Sequence, residues 1–245
     1  YGIWEDMLNT VSRFCMQSSI DADYIAHLGA DKDKIFVTGN TKFDQTYAEV
    51  TPQDLEKYRL ELGLGDSYPV IVAGSTHPTE EDALMEAFKN VRAKYPDARL
   101  IIAPRKTTRA DEIAKIAAGY GYETGYRSKL LEVTGQRHQY PVLLIDTIGE
   151  LGRIYAVGDV VYVGGSLSKH GGHNVLEPAA HAKPILVGPN MQNFKDSYAL
   201  LSKVGACKMV NNVNELTAEM LSIIGDDEKR AKMGAASLQV IKENR

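Results

Sequence analysis

Asn174 and Glu177 stand three residues apart, behind a run that holds Gly164, Gly165, Gly171 and Gly172. On a helix that spacing places both side chains on one face of the first turn. The Asn174 side-chain oxygen can cap the helix. A carboxylate at Glu177 can accept hydrogen bonds from the vicinal hydroxyls of a ribose. The first N–H groups of a helix lack internal partners and favour a phosphate. Glycines before them let the backbone turn sharply and approach a ligand. Together these residues suit a nucleotide. They equally suit an ordinary capped helix whose Glu177 complements the helix dipole.

Three other stretches carry comparable potential. Gly74–Ser75–Thr76–His77–Pro78 offers backbone N–H groups, hydroxyls and an imidazole at a helix entrance, or a plain capped turn. In Pro104–Arg105–Lys106 the guanidinium can fork onto a phosphate or a base carbonyl, or lie solvated. In Asp146–Thr147–Ile148–Gly149–Glu150, Asp146 or Thr147 can cap a helix. The first-turn amides at Ile148, Gly149 and Glu150 would then face a phosphate or nucleoside. Two patterns hint at a metal: the Asp21–Ala22–Asp23 triplet, and His170 with His173 around two glycines. Neither brings a complete ligand set, so no metal is expected.

The elements that must position these residues alternate. Short apolar runs at 70–73, 100–103, 142–145, 160–163, 184–187 and 208–210 read as buried strands, with a shorter one at 124–127. Between and after them, helices are expected over 80–94, 109–118, 147–156, from Asn174, over 194–203 and over 215–224. A charged amphipathic helix closes the chain at 227–242. This rhythm predicts an α/β fold with a doubly wound parallel sheet. Ligands in such sheets bind at the carboxyl ends of strands, where all four candidate loops fall. Ahead of it, residues 1–43 read as a small section with helices over 5–12 and 21–28 and strands over 13–17 and 35–38. A helix over 54–62 stops at Gly63 and Gly65.

Composition narrows the function classes. The 245 residues are 44% hydrophobic and 24% charged, as in an ordinary globular protein. A net charge of −4 argues against a nucleic-acid surface. The two cysteines, Cys15 and Cys207, do not make a disulfide framework and suit a reducing compartment. No stretch has the roughly 20 apolar residues of a membrane span. The opening Tyr1–Gly2–Ile3–Trp4, without an initiator Met, reads as the interior of a longer protein.

The segments VTGNTKFD at 37–44, GSTH with Glu80–Glu81 at 74–81, PR at 104–105, DTIGEL at 146–151, VGGSLSKHGGHNVLEPAAHAKPILVGP at 163–189 and NFKD at 193–196 together resemble the C-terminal half of the 3-deoxy-D-manno-octulosonic acid (Kdo) transferases. The resemblance implies a GT-B-type Rossmann-like glycosyltransferase without a metal or other cofactor. Such an enzyme moves Kdo from CMP-Kdo to a lipid A precursor in lipopolysaccharide biosynthesis, at the cytoplasmic face of the bacterial inner membrane. It implies CMP contacts at Pro104, Arg105, Ile148, Gly149, Glu150, Asn174, Val175, Leu176 and Glu177. Ser75, Thr76, His77, Gly172 and Lys195 are further candidates for contact with the donor sugar or the acceptor. The expected organisation is a remnant of an N-terminal acceptor-side domain at 1–43, a CMP-binding domain at 44–226 and a crossover helix at 227–245. The family's catalytic base, a glutamate of the N-terminal domain, and its membrane-associating N-terminus match nothing in this sequence. Lys106 and Thr107–Thr108 depart from the family's usual histidine and proline-bearing turn. Two alternatives stay open: another GT-B protein using a UDP-sugar, as transferase or epimerase, and a non-enzymatic nucleotide-binding module.

Overall fold

The computed structural model describes residues 2–39, 42, 47, 49–131 and 138–244. Its contacts divide the chain into Tyr1–Thr46 with Glu243–Arg245, and Tyr47–Lys242. The expected boundary residues Phe43 and Asp44 lie outside the described residues, as does much of the 37–44 motif.

The first unit holds α1 (Gly2–Asn9), β1 (Phe14–Met16), α2 (Ser19–His27) and β2 (Ile35–Val37). Ser18 caps α2 by accepting the Asp21 N–H at 3.2 Å. Asp21 thus serves the helix start. β1 and β2 run parallel, and Leu8, Phe14 and Ala30 form a small core.

The second unit begins with α3 (Pro52–Glu61), which opens on a capping box between Thr51 and Asp54. Then come β3 (Val70–Thr76), α4 (Glu80–Lys94), β4 (Arg99–Pro104), α5 (Ala110–Gly119), β5 (Thr124–Tyr126), α6 (Arg127–Leu131), β6 (Val142–Leu144) and α7 (Leu151–Ile154). They are followed by β7 (Val160–Val163), α8 (Leu176–Ala180), β8 (Ile185–Val187), α9 (Lys195–Lys203), β9 (Cys207–Met209), α10 (Val213–Ile224) and α11 (Asp227–Glu243). The strands form one parallel sheet in the order β5-β6-β4-β3-β7-β8-β9. β3, β4 and β7 are apolar along most of their length because helices bury both faces of the sheet. The expected doubly wound α/β fold is the one observed.

Chain order locates the crevice. From β3 the path moves out through β4 to β5 and β6, and then returns to lay β7 on the other side of β3. β3 and β7 are therefore neighbours whose following connections diverge, the kind of switch point at which doubly wound sheets bind ligands.

One expectation is corrected. The helix expected over 147–156 starts late: 147–150 is not helical, α7 keeps Leu151–Ile154, and a single 3-10 turn follows at Tyr155–Val157. Gly149 sits at φ 89°, outside helical space. Of the final helix, Asp227–Lys242 groups with the second unit. Its Met233, Val240 and Ile241 are buried, and Ser237 Oγ donates to the Lys183 carbonyl at 2.7 Å. A Cβ at Gly234 would collide with the Ala182 carbonyl oxygen, so this helix approaches the α8–β8 turn at backbone distance.

Candidate functional site at the carboxyl edge of the sheet

The loops after β3, β4, β6 and β7 meet at the carboxyl edge. β3 ends in a bulge between Gly74 and Thr76, with Ser75 at φ 56°. The Gly164 N–H donates to the Gly74 carbonyl at 2.8 Å, and the Arg105 N–H to the Thr76 carbonyl at 3.0 Å. A Cβ at Gly164 would lie 2.5 Å from the Ser75 carbonyl oxygen. Glycine is required there because the β3 and β7 loops touch backbone to backbone.

A buried carboxylate organises the glycine loop. Glu80, the first residue of α4, is fully buried. Its Oε1 accepts from Tyr162 Oη at 2.8 Å and from the N–H groups of Ser166, Leu167 and Ser168 at 3.0, 2.9 and 3.2 Å. Its Oε2 accepts from the N–H groups of His77 and Gly165 at 2.9 and 2.8 Å. The amides at 165–168 thus form an anion nest whose anion is the protein's own side chain. Those amides are not available for a phosphate unless Glu80 leaves. The adjacent Glu81 is also buried. It accepts from Thr76 Oγ1 at 2.9 Å and pairs with Arg109 Nη1 at 2.7 Å. Burial raises its pKa, and the bonds from Arg109 and Thr76 oppose that shift.

Across this floor lies a histidine cluster. His77 Nε2 and His173 Nε2 are 2.8 Å apart, so one ring donates to the other. The His170 ring stacks on His77 with centroids 3.8 Å apart. Burial holds His173 down to about 4, with His77 and Arg105 adding to the shift. His77 is also lowered, by burial first and by His170 next, with Glu80 opposing. These imidazoles are neutral in the fold and titrate near 6.5 when unfolded. Between those values the unfolded chain binds more protons, so stability rises with pH. Unfolding free energy is expected to fall as pH drops from 6.5 towards 4. In His173→Gln that slope becomes shallower, as pH-dependent urea melts would show. An unchanged slope would exclude the histidine pair as its source.

The second cluster lies at α7 and α8. Asn174 Oδ1 accepts the Leu176 N–H at 3.0 Å, and its Nδ2 donates to Glu177 Oε1 at 3.1 Å. Asn174 therefore caps one residue ahead of a helix only five residues long. Glu177 Oε2 lies 3.6 Å from where a Cβ on Gly152 would sit, so the carboxylate faces α7. Burial raises its pKa, with the Asn174 bond opposing. His181 Nε2 donates to the Gly152 carbonyl at 2.6 Å, tying α8 to α7. The 146–150 loop leads directly into α7. Ile148 is 88% exposed on it, while the Glu150 carboxylate turns to Arg127 Nε and Nη2, both at 3.0 Å.

The structure thus brings Ser75, Thr76, His77, Arg105 and Gly172 to the β3–β7 crevice loops, and Asn174 and Glu177 to the α7–α8 contact. Val175, Leu176 and Pro104 have buried side chains, which leaves backbone as their means of touching a ligand. Lys195 is exposed at the start of α9. The reading of the sequence missed Glu80 as the anchor of the glycine loop and missed the partner of His173. A signal for the first was present: a doubled Glu at a helix start, in a chain whose 164–172 loop carries two glycine pairs.

A doubly wound parallel sheet of this order, with helices on both faces, is a Rossmann-like domain of the GT-B type. Anabaena HepE, solved in complex with UDP-glucose, shares the fold at 15% identity and a TM-score of 0.60 over 96% of this chain and 60% of that one. Residues 1–45 match the family described as 3-deoxy-D-manno-octulosonic-acid transferase (kdotransferase). The Haemophilus influenzae 3-deoxy-D-manno-octulosonic acid transferase is 31% identical over 98% of this chain and 56% of its own length. The structure described as the C-terminal CMP-Kdo binding domain of WaaA from Acinetobacter baumannii aligns at TM-score 0.70 and 27% identity, over 78% of this chain and 97% of that one. This chain closely matches the Kdo transferases, and most of it aligns with the C-terminal domain of one of them. It spans about half the length of the curated relatives it matches. Among the described residues no helix is long and apolar enough to cross a membrane.

Proposed function

We propose that this chain is the donor-binding half of a Kdo transferase and that its second unit binds the CMP moiety of CMP-Kdo. The observation that carries the reading is the Asn174–Glu177 pair at the head of α8, held against α7 and beside the loop that presents Ile148. In this reading Glu177 accepts the ribose hydroxyls. Its Asn174 bond orients one carboxylate oxygen and leaves the other to the ligand. Arg105, exposed at the end of β4, meets the phosphate, and the 148–150 backbone borders the base.

Transfer is a displacement at the anomeric carbon of Kdo. The acceptor hydroxyl of a lipid A precursor loses its proton to a base and forms the new C–O bond. The bond to the phosphate oxygen breaks, and CMP leaves with the electron pair. Charge grows on the departing phosphate, so a positioned Arg105 stabilises the transition state more than the ground state. The base comes from the acceptor-side domain of the full enzyme. This chain alone is expected to bind CMP and to transfer little or no Kdo. Membrane association of the full enzyme through its N-terminal domain belongs to the same proposal.

Calorimetric titration with CMP and UMP tests the reading. CMP should bind in preference to UMP. Glu177→Ala should weaken CMP binding about 10- to 100-fold, the scale of one or two hydrogen bonds to a charged group. A folded wild-type chain that binds both nucleotides equally, or a Glu177→Ala variant of unchanged affinity, would remove the assignment.

A further inference from the structure

The loop at 146–150 has no regular secondary structure of its own, yet both of its ends are gripped by consecutive residues at the start of α6. At the first end, the Ser128 N–H donates to Asp146 Oδ1 at 2.9 Å and Ser128 Oγ donates to Asp146 Oδ2. At the other end, Arg127 lays its Nε and Nη2 on the two oxygens of Glu150, each at 3.0 Å. The same guanidinium reaches Glu61 Oε2 at 3.3 Å, at the end of α3. Its side chain is only 5% exposed. Inside the loop, Thr147 Oγ1 donates to Glu150 Oε2 at 2.7 Å. Asp146 and Glu150 are thereby both engaged, and the residue displayed between them is Ile148, 88% exposed. An apolar side chain held in water by a braced loop is set to cover a flat apolar surface, such as the face of a base.

We propose that Arg127 and Ser128 are positioning residues for nucleobase discrimination: by fixing Asp146 and Glu150 they hold the 148–150 backbone at the distance that separates cytosine from uracil. This rests on the CMP reading above. Cytosine and uracil differ at one ring edge, where a donor amine replaces an acceptor carbonyl, together with the ring nitrogen beside it. Discriminating them requires backbone groups at a set hydrogen-bond distance, and a loop free to shift would adapt to either. The forked geometry matters as much as the charge, because a lysine reaches one carboxylate oxygen as a point charge and leaves the other.

The test measures CMP and UMP dissociation constants for the wild-type chain, Ser128→Ala and Arg127→Lys, with a melting curve for each. Ser128→Ala keeps the backbone bond to Asp146 and so protects the fold if Arg127→Lys proves unstable. Both variants should lose CMP preference by about tenfold, the scale of one charge-assisted hydrogen bond. Most of that loss should come from weaker CMP binding with UMP little changed. The Ile148 methyl resonance should move towards the shift of a freely averaged isoleucine. A purely structural role would lower the melting temperature and leave the CMP-to-UMP ratio intact, which would overturn the proposal while the CMP reading stands. A wild-type chain without CMP preference would overturn both.

Discussion

Glu80→Ala is expected to lower the unfolding free energy by about 4 kcal/mol, among the largest single losses this chain can show. The carboxylate accepts six hydrogen bonds, four of them from consecutive backbone amides at 165–168. Removing it leaves those N–H groups without their acceptor, two of them, at Gly165 and Ser166, fully buried. Each unsatisfied buried donor costs about 1–3 kcal/mol. The loop will relax and admit water, so the sum is not additive and about 4 kcal/mol is the reasonable scale. Glu80→Gln should lose less, about 2 kcal/mol, because one oxygen still accepts while the amide nitrogen opposes the N–H groups it faces. Urea unfolding at pH 7 measures both. A loss under about 1 kcal/mol for Glu80→Ala would show that the glycine loop holds its own shape. The same variant should disturb His77, whose N–H shares Oε2 with that of Gly165. Nucleotide affinity should then fall with stability.

Which parts of this arrangement the sequence discloses depends on how local their causes are. α4 begins and ends at the expected residues because its acidic first turn and its apolar spacing lie within the helix. β7 is likewise a local apolar run. The 147–156 stretch has the composition of a helix, but its cap is diverted. The Asp146 carboxylate goes to Ser128 and the Thr147 hydroxyl goes to Glu150. With Gly149 at φ 89°, the helix cannot begin before α7. α6 is not legible, and its first residue, Arg127, reads as a strand end, because a five-residue helix carries too little periodicity to register. β3 runs on to Thr76 through what looks like a glycine turn, because β4 pairs with it past the bulge. Glu80 and the glycine loop are 85 residues apart in sequence, and a partnership of that range leaves no periodic trace. The site follows the same rule. The strand ends that carry the candidate loops are legible in the sequence, whereas the bonds among those loops, such as His77 to His173, exist only once the sheet has formed.

Arg109→Ala should cost about 3–5 kcal/mol, and the reason lies in what it leaves behind. Glu81 is fully buried, and its paired guanidinium is only 12% exposed. Taking away the cation strands a carboxylate whose one remaining side-chain donor among the described residues is Thr76 Oγ1, at 2.9 Å. Burial already raises the Glu81 pKa against the pull of Arg109 and Thr76, so losing Arg109 raises it further. A carboxyl group with a raised folded pKa binds more protons folded than unfolded. Its stabilising effect is therefore full below its unfolded value and lost as pH rises through the folded one. The variant should be most stable in mildly acidic solution and weaken towards neutrality, opposite in sign to the histidine contribution. Glu81→Gln placed in the Arg109→Ala background should recover more than half of the loss at pH 7. The neutral amide still accepts from Thr76 and no longer needs a cation. Denaturant melts of the single and double variants at pH 5 and pH 7 decide the matter. Equal stability of the two variants at both pH values would mean that Arg109 acts by packing over the loops rather than by neutralising Glu81. The consequence reaches the site, because Thr76 carries the carbonyl that receives the Arg105 N–H. A Glu81 that draws water into this corner would loosen the residue proposed to meet the donor phosphate.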